Sequence, residues 1–239
     1  MRRNDGRLDA LDLPLIKRLP APVRENLLKH AIEHQVSPGA ILFEQGHPPN
    51  FQHVVVAGSV QLIGRSAQRE VLIEVVRAPE LVIPAAVVMN APYLMRARVP
   101  EPSRILLIHG EVFRDAIADE PLLAREVIRS LAGQFRRMVR QVKNLKLRSA
   151  TERVGHYVLT LSNRQGTPHR AILPYEKNLI ASELGLARES FSRALSMLRA
   201  SGVVVRGETI VIADPKRLAA EFERDPFIDD EGFKDSDRS

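Results

Sequence analysis

Apolar and polar positions change rhythm several times along this chain. The spacing over Leu11–His34 predicts a short helical hairpin, broken at Pro20 and Pro22. Short alternating or wholly apolar runs follow: Ala40–Phe43, Phe51–Ala57, Ser59–Gly64, Val71–Val76, Arg96–Val99 and Arg104–His109. They are cut by Pro38–Gly39, Gly46–Pro49, Gly58, Pro79 and Pro100–Pro102, so the pattern predicts antiparallel strands in a roll or jelly roll. Gly46 and Gly58 are expected where the backbone needs a positive φ.

A new period begins near Pro121, whose ring is tolerated in the first turn of a helix. Ile128, Leu131, Phe135, Met138, Val142 and Leu145 follow at spacings of 3, 4, 3, 4 and 3, a heptad seam. A helix lying on its own domain would tolerate a looser stripe. Here arginines and lysines flank a seam that stays apolar, which favours a parallel homodimer helix and the two-fold symmetry such a dimer supplies.

Beyond Ser149, Thr151–Leu161 reads as another helix, capped by Ser149 or Thr151. Then comes Tyr175–Gly207, YEKNLIASELGLARESFSRALSMLRASGVVVRG. One helix is expected over Glu176–Leu184 with Leu179, Ile180 and Leu184 inward, a turn at Gly185, and Leu186 packing back. A second helix over Arg188–Ser201 buries Phe191, Ala194, Leu195 and Leu198, and leaves Arg188, Glu189, Ser192, Arg193 and Ser196 outside. Val203–Arg206 and Thr209–Ile212 form a hairpin around Gly207–Glu208. Two short helices about a glycine, followed by a hairpin, are the pattern of a winged helix-turn-helix that enters the DNA major groove.

The polar set just past the turn has the chemistry for that task. Arginine can donate twice to guanine, and a carboxylate can accept from cytosine N4. Ser190, Ser192 and Ser196 suit phosphates or short base contacts, and Lys177 and Arg199 suit the DNA backbone. Glu189, facing phosphates, is expected to hold Arg193 one turn later.

The fold class is therefore α+β, in four segments: a β-roll over 1–120, a dimerisation helix over 121–148, a winged helix-turn-helix over 149–222 and an acidic, flexible tail over 223–239. A hinge is expected near Leu147–Thr151. A chain of 239 residues is long enough for two cores. Its longest apolar runs, such as Val82–Met89, are too short to span a bilayer, so no membrane partner is expected and cytoplasm is the default. The absence of cysteine excludes disulfides, thiolate zinc and iron–sulfur clusters. From Glu221 onward eight acidic residues face three basic ones, so the rest of the chain carries about +11 against +6 overall. Arg136, Arg137, Arg140, Lys143, Lys146, Arg148 and Arg153 form a basic block, expected on phosphates when beside a helix-turn-helix. There is no cysteine nucleophile, no metal-spaced histidines and no glycine-rich phosphate loop, and the serines sit on the DNA-facing helix, so an enzyme is not expected.

These residues resemble the Crp/Fnr family of bacterial transcription regulators, named after the cyclic AMP receptor protein and the fumarate–nitrate reduction regulator. The likeness rests on Gly39–Gly46 (GAILFEQG), Gly58 with Val60, and Leu184-Gly185-Leu186 with Glu189, Ser192 and Arg193. It implies a cyclic-nucleotide-binding-like β-roll, a dimer helix, double-stranded DNA as partner, and contact with RNA polymerase as an activator. Glu–x–x–Ser–Arg is similar to the branch reading TTGAT-type half-sites, while Arg188 matches an arginine of the cyclic-AMP branch.

Two departures bear on the effector. Where cyclic-nucleotide binders carry Gly-Glu and Arg-Ser or Arg-Thr, this chain has Pro84-Ala85 and Met95-Arg96, so cAMP is not expected. What remains resembles the nitric-oxide-responsive branch, which uses haem b. That implies an apolar effector pocket drawn from Leu81, Pro84, Val87, Val88, Met89, Leu94, Met95 and Arg96, and iron ligation by a histidine, with His47 and His53 the candidates among His30, His34, His47, His53 and His109. The same pocket residues read equally as ordinary core of a regulator with no effector.

Overall fold

The computed structural model describes residues 13–66, 69–174, 176–222 and 225–229. The chain divides into two compact units, Met1–Gly133 and Gln134–Ser239. In the first, strands β1 (Ala31–Val36), β2 (Ile41–Phe43), β3 (Phe51–Ala57), β4 (Ser59–Ser66), β5 (Arg69–Arg77), β6 (Glu80–Val82), β7 (Arg96–Arg98) and β8 (Ser103–His109) make two four-stranded sheets. Their orders are β1-β8-β3-β6 and β2-β7-β4-β5, and the pairings are antiparallel.

Alternation along the strands builds two cores. Val55 and Ile105 point between the sheets, joining Phe43, Val60, Leu62, Val76, Ala97 and Val99. Val54, Leu106 and Ile108 point the other way, onto the helices α1 (Pro14–Lys17), α2 (Ala21–Lys29) and α4 (Gly110–Asp119). A strand buried on both faces needs apolar residues at both phases, which is why β3 and β8 read as near-continuous runs. Between β6 and β7 lies a short helix, α3 (Pro84–Met89). Gly46 and Gly58 have φ of +85° and +81°, as expected, and a Cβ at Gly58 would run into the Ser103 side chain.

The amino-terminal hairpin needs correction. The second helix stops at Lys29, and Ala31–Val36, His34 included, is an edge strand on β8. Its exposed alternate residues copy a polar helix face, and the pairing that decides the matter lies some seventy residues away. Leu11 lies outside the described residues. β1 and β6 were not legible as strands; β6 is only Glu80–Val82.

Helix α5 runs unbroken over Pro121–Leu147. Leu123 and Val127 are buried in the core under the roll, and Leu131 packs partly against it. Of the seam residues, Ile128, Phe135, Met138 and Val142 are 64%, 64%, 58% and 50% exposed.

The second unit has one core. It joins α6 (Ala150–Arg164), β9 (Arg170–Ile172), α7 (Lys177–Glu183), α8 (Arg188–Met197), the antiparallel pair β10 (Val203–Arg206) and β11 (Thr209–Ile212), and α9 (Pro215–Glu221). β9 adds a third strand to the hairpin by pairing with β11. Ser149 caps α6 through a capping box with Glu152, an arrangement worth roughly 1 kcal/mol. Gly155 faces the ring of Phe222, which would lie 2.8 Å from an added Cβ. The second reading helix ends at Met197 rather than Ser201; Leu198–Ser201 is a 3₁₀ turn closed by Gly202 at φ +81°. Asp225–Asp229, assigned by sequence to a flexible tail, carries the helical turn α10 (Pro226–Asp229).

His53 on β3 is 4% exposed, with its ring against Phe43 and Tyr93 at centroid distances of 5.1 and 6.5 Å. Burial pushes its pKa down from 6.5 to about 4, against a backbone hydrogen bond at Phe51 that raises it. The unfolded chain takes up a proton below pH about 6.5 and the folded chain only near 4, so stability is full above the first value and falls toward the second. Denaturant titrations of the full chain between those pH values should lose about 3 kcal/mol from this group, levelling off below pH 4. His53→Leu should flatten that part of the slope.

Candidate nucleic-acid interface

Helix α7 closes on a left-handed residue, Gly185, at φ +63°. Leu186 donates its backbone N–H to Ala181 O at 2.8 Å and Gly185 to Ser182 O at 3.0 Å, the paired bonds of a Schellman closure. The last carbonyl of the helix, Leu184 O, accepts from Arg153 Nη1 on α6 at 2.9 Å. A Cβ on residue 185 would collide with the Leu145 side chain from the end of α5. Only glycine satisfies both the dihedral and this approach. Ile180 and Leu184 are buried, Leu186 packs against the core, and Leu179 is half-buried.

Helix α8 starts two residues later. Phe191, Ala194, Leu195 and Leu198 are buried as the period required. Arg188, Glu189, Ser192, Arg193 and Ser196 are exposed on the opposite side, and Ser190 is half-buried. Arg193 does not pair with Glu189 in this chain; its Nη2 donates to Ser190 Oγ at 3.3 Å, one turn back on the same face. That correction has a simple cause: a short hydroxyl at i−3 meets the guanidinium with less side-chain ordering than a carboxylate at i−4. Ser196 Oγ donates to Ser192 O at 3.0 Å, which leaves its lone pairs outward. Lys177 and Arg188 line a shallow cleft of about 240 Å³ with Leu173, Glu176, Asn178 and Glu208, and Arg199 is exposed on the 3₁₀ turn.

The basic block does not act as one surface. Arg153 is committed to Leu184 O, Arg148 is paired with Asp229, and Lys143 lies near Asp225 and over the Phe227 ring. Arg136 and Lys146 remain exposed. Leu145, counted in the seam, is 39% exposed and also lies over Gly185. The Arg153 bond and the Leu145 approach were invisible to helical periodicity, which reports the face a residue occupies and not its distant partner.

The proposed effector residues do not converge. Leu81 and Val87 belong to the core under the helices, while Met95 packs on the core between the sheets. Pro84 is buried. Val88, Met89 and Leu94 point outward, with Met89 and Leu94 at 75% and 81% exposure. Arg96 leaves the inter-sheet core on the phase opposite Ala97 and pairs with Glu44 at 2.8 Å and Glu70 at 3.0 Å. Hydrogen bonding to Arg96 holds the Glu44 carboxyl below its usual range. Of the histidines, His53 is buried; His30, His34, His47 and His109 are exposed, His30 with Nδ1 2.9 Å from Asn26 O.

A cyclic nucleotide-binding domain matches residues 33–120 and a Crp-like helix-turn-helix domain residues 152–221. The chain belongs to the Crp/Fnr family of transcription regulators. Like its Crp/Fnr relatives it is a DNA-binding regulator, and those relatives are not enzymes. It is 27% identical over 188 residues to the CRP-like cAMP-activated global transcriptional regulator of Mycobacterium tuberculosis, covering 76% of this chain and 84% of that one. It is 24% identical over 187 residues to the transcriptional activator protein Anr of Pseudomonas aeruginosa, 76% of this chain and 77% of that one. The solved structure of FixK2 from Bradyrhizobium japonicum shares the fold at TM-score 0.64 and 22% identity, over 80% of this chain and 96% of that chain. Among the described residues no helix is long and apolar enough to cross a membrane.

Sorting of contacts on this face is testable by titrating a selected duplex and a random one. Arg193→Ala should remove about 1–3 kcal/mol of discrimination between them. Lys177→Ala should weaken both alike and reduce the salt slope by about one. Equal losses on both duplexes for Arg193→Ala overturn its assignment to a base.

Proposed function

We propose that this Crp/Fnr chain works as a homodimer that reads an inverted repeat, one α8 helix in each of two successive major grooves. The observation that carries the reading is the stripe on α5. Ile128, Phe135, Met138 and Val142 stand exposed along one heptad-spaced line, while Leu123 and Val127, off that line, are buried under the roll. Each large side chain left in water forgoes about 1.5–3 kcal/mol of burial. A parallel second copy of the helix would cover the stripe at heptad spacing. Two-fold symmetry then sets the reading helices one DNA turn apart.

In each groove Arg193 and Arg188 have the double donors that match guanine, and Glu189 can accept from cytosine N4. Lys177, Arg199 and the serines fix register on phosphates. Contact with RNA polymerase and activation of promoters belong to the same proposal, as the family resemblance implies.

The resemblance also carries a response to nitric oxide or a related low-oxygen signal through haem b, and the residues fit that group poorly. The named apolar residues split between two packed cores and the surface, and the one buried histidine, His53, is enclosed by Phe43 and Tyr93 within a core. Neither arrangement offers an axial ligand facing a flat slot. We therefore carry forward the reading in which the dimer binds DNA with no cofactor, its activity set by its amount or by another small molecule. Protein made with ample haem should show no haem absorption band and should bind its site; a stoichiometric band that shifts with nitric oxide contradicts this.

Phe135 gives the cleaner test of the seam, because Leu131 also packs on its own roll. Phe135→Glu should sediment as a monomer, with its melting temperature little changed and its affinity for the full repeat reduced at least tenfold. A variant that still sediments as a dimer refutes the stripe as the interface.

A further inference from the structure

Two residues, Arg148 and Ser149, separate the end of α5 at Leu147 from the start of α6 at Ala150. The capping box of Ser149 and Glu152 fixes where α6 begins. The segment Asp225–Asp229 bridges the two helices. Arg148 Nη1 and Nη2 donate to the two oxygens of Asp229 at 2.7 Å each, with the side chains 8% and 11% exposed. The same guanidinium donates to Asn144 Oδ1 on α5 at 3.2 Å. On the other side, His156 Nδ1 of α6 lies 3.6 Å from Asp229 Oδ2. Lys143 of α5 lies 3.7 Å from Asp225 Oδ2 and 5.5 Å from the centre of the Phe227 ring. Asp225 N–H donates back to Asp229 Oδ2 at 2.9 Å, which completes the carboxylate's shell.

This is a two-pronged ion pair shielded from water, the geometry in which such pairs are strong and directional. Removing one partner leaves the other charge buried and uncompensated, so the contact holds as a unit. We propose that Asp225–Asp229 is a strap across the joint between α5 and α6, with Asp229 as a positioning residue that sets the angle at which α6 leaves α5. Through α6 and the bond from Arg153 to Leu184 O, that angle reaches the turn ahead of α8. The strap accounts for a buried arginine, Arg148, within the basic block: it binds a carboxylate in cis and is withheld from phosphates.

The native chain has no cysteine, so Arg136→Cys on α5 and Asn163→Cys on α6, both at exposed positions, accept spin labels selectively. Labelled chain diluted in excess unlabelled chain reports the distance within one copy. The parent should give one narrow distribution, Asp229→Asn a broadened or shifted one, and Asp229→Glu the parental one. On DNA, Asp229→Asn should lose about fivefold on the full repeat while single half-site binding is unchanged. That last arm rests on the dimer reading; the distance arm does not, so failure of the two can be told apart by sedimentation. A distribution in Asp229→Asn superimposable on the parent, identical behaviour of the Asn and Glu variants, or a broadened joint with undiminished affinity for the repeat would overturn the proposal.

Discussion

The reading face is aimed by one close approach, that of Leu145 to the left-handed turn at Gly185. Any side chain larger than hydrogen at residue 185 would have to displace the leucine as well as strain the backbone. Arg153 adds a hydrogen bond to Leu184 O immediately before the turn. The end of the long helix and the start of the winged helix therefore meet at the point where α7 becomes α8.

Helix α5 has a double character along its length. Its first turns are anchored by Leu123 and Val127 in the core beneath the roll, and its later turns present Phe135, Met138 and Val142 to solvent. Apolar surface of this kind on a polar helix is costly for an isolated chain and productive when covered by a like surface. The basic residues beside it are divided in role. Some are tied to Asp229, Asp225 and Leu184 O and give shape, while Arg136, Lys146 and the face of α8 keep free charge for an anionic partner. Electrostatic attraction to DNA then comes from fewer cations than the composition implies.

Local signals were legible and distant ones were not. The heptad stripe, the wing strands Val203–Arg206 and Thr209–Ile212, the glycine turn and the buried set of α8 follow from period and turn chemistry, and they stand where the pattern placed them. β1 and β9 escaped because each is defined by its partner: Ala31–Val36 by β8, and Arg170–Ile172 by β11. The apolar run around Leu81–Met95 looked like a pocket lining because hydrophobicity alone does not say which side of a sheet or helix a residue joins. Two opposed cores and a surface divide it. Asp229 read as part of a solvated acidic tail, since nothing near it in sequence marks Arg148 as its partner.

In the proposed dimer, two copies present matched reading helices to one duplex. Hydroxyl-radical footprinting on a duplex selected from a random pool, with the chain-to-duplex ratio determined in the same complex, tests it most directly. Two protected patches related by an inverted repeat, centred about 10 base pairs apart on one face of the DNA, with two chains bound, is the predicted result. A single patch on an asymmetric site with one chain per duplex would contradict it.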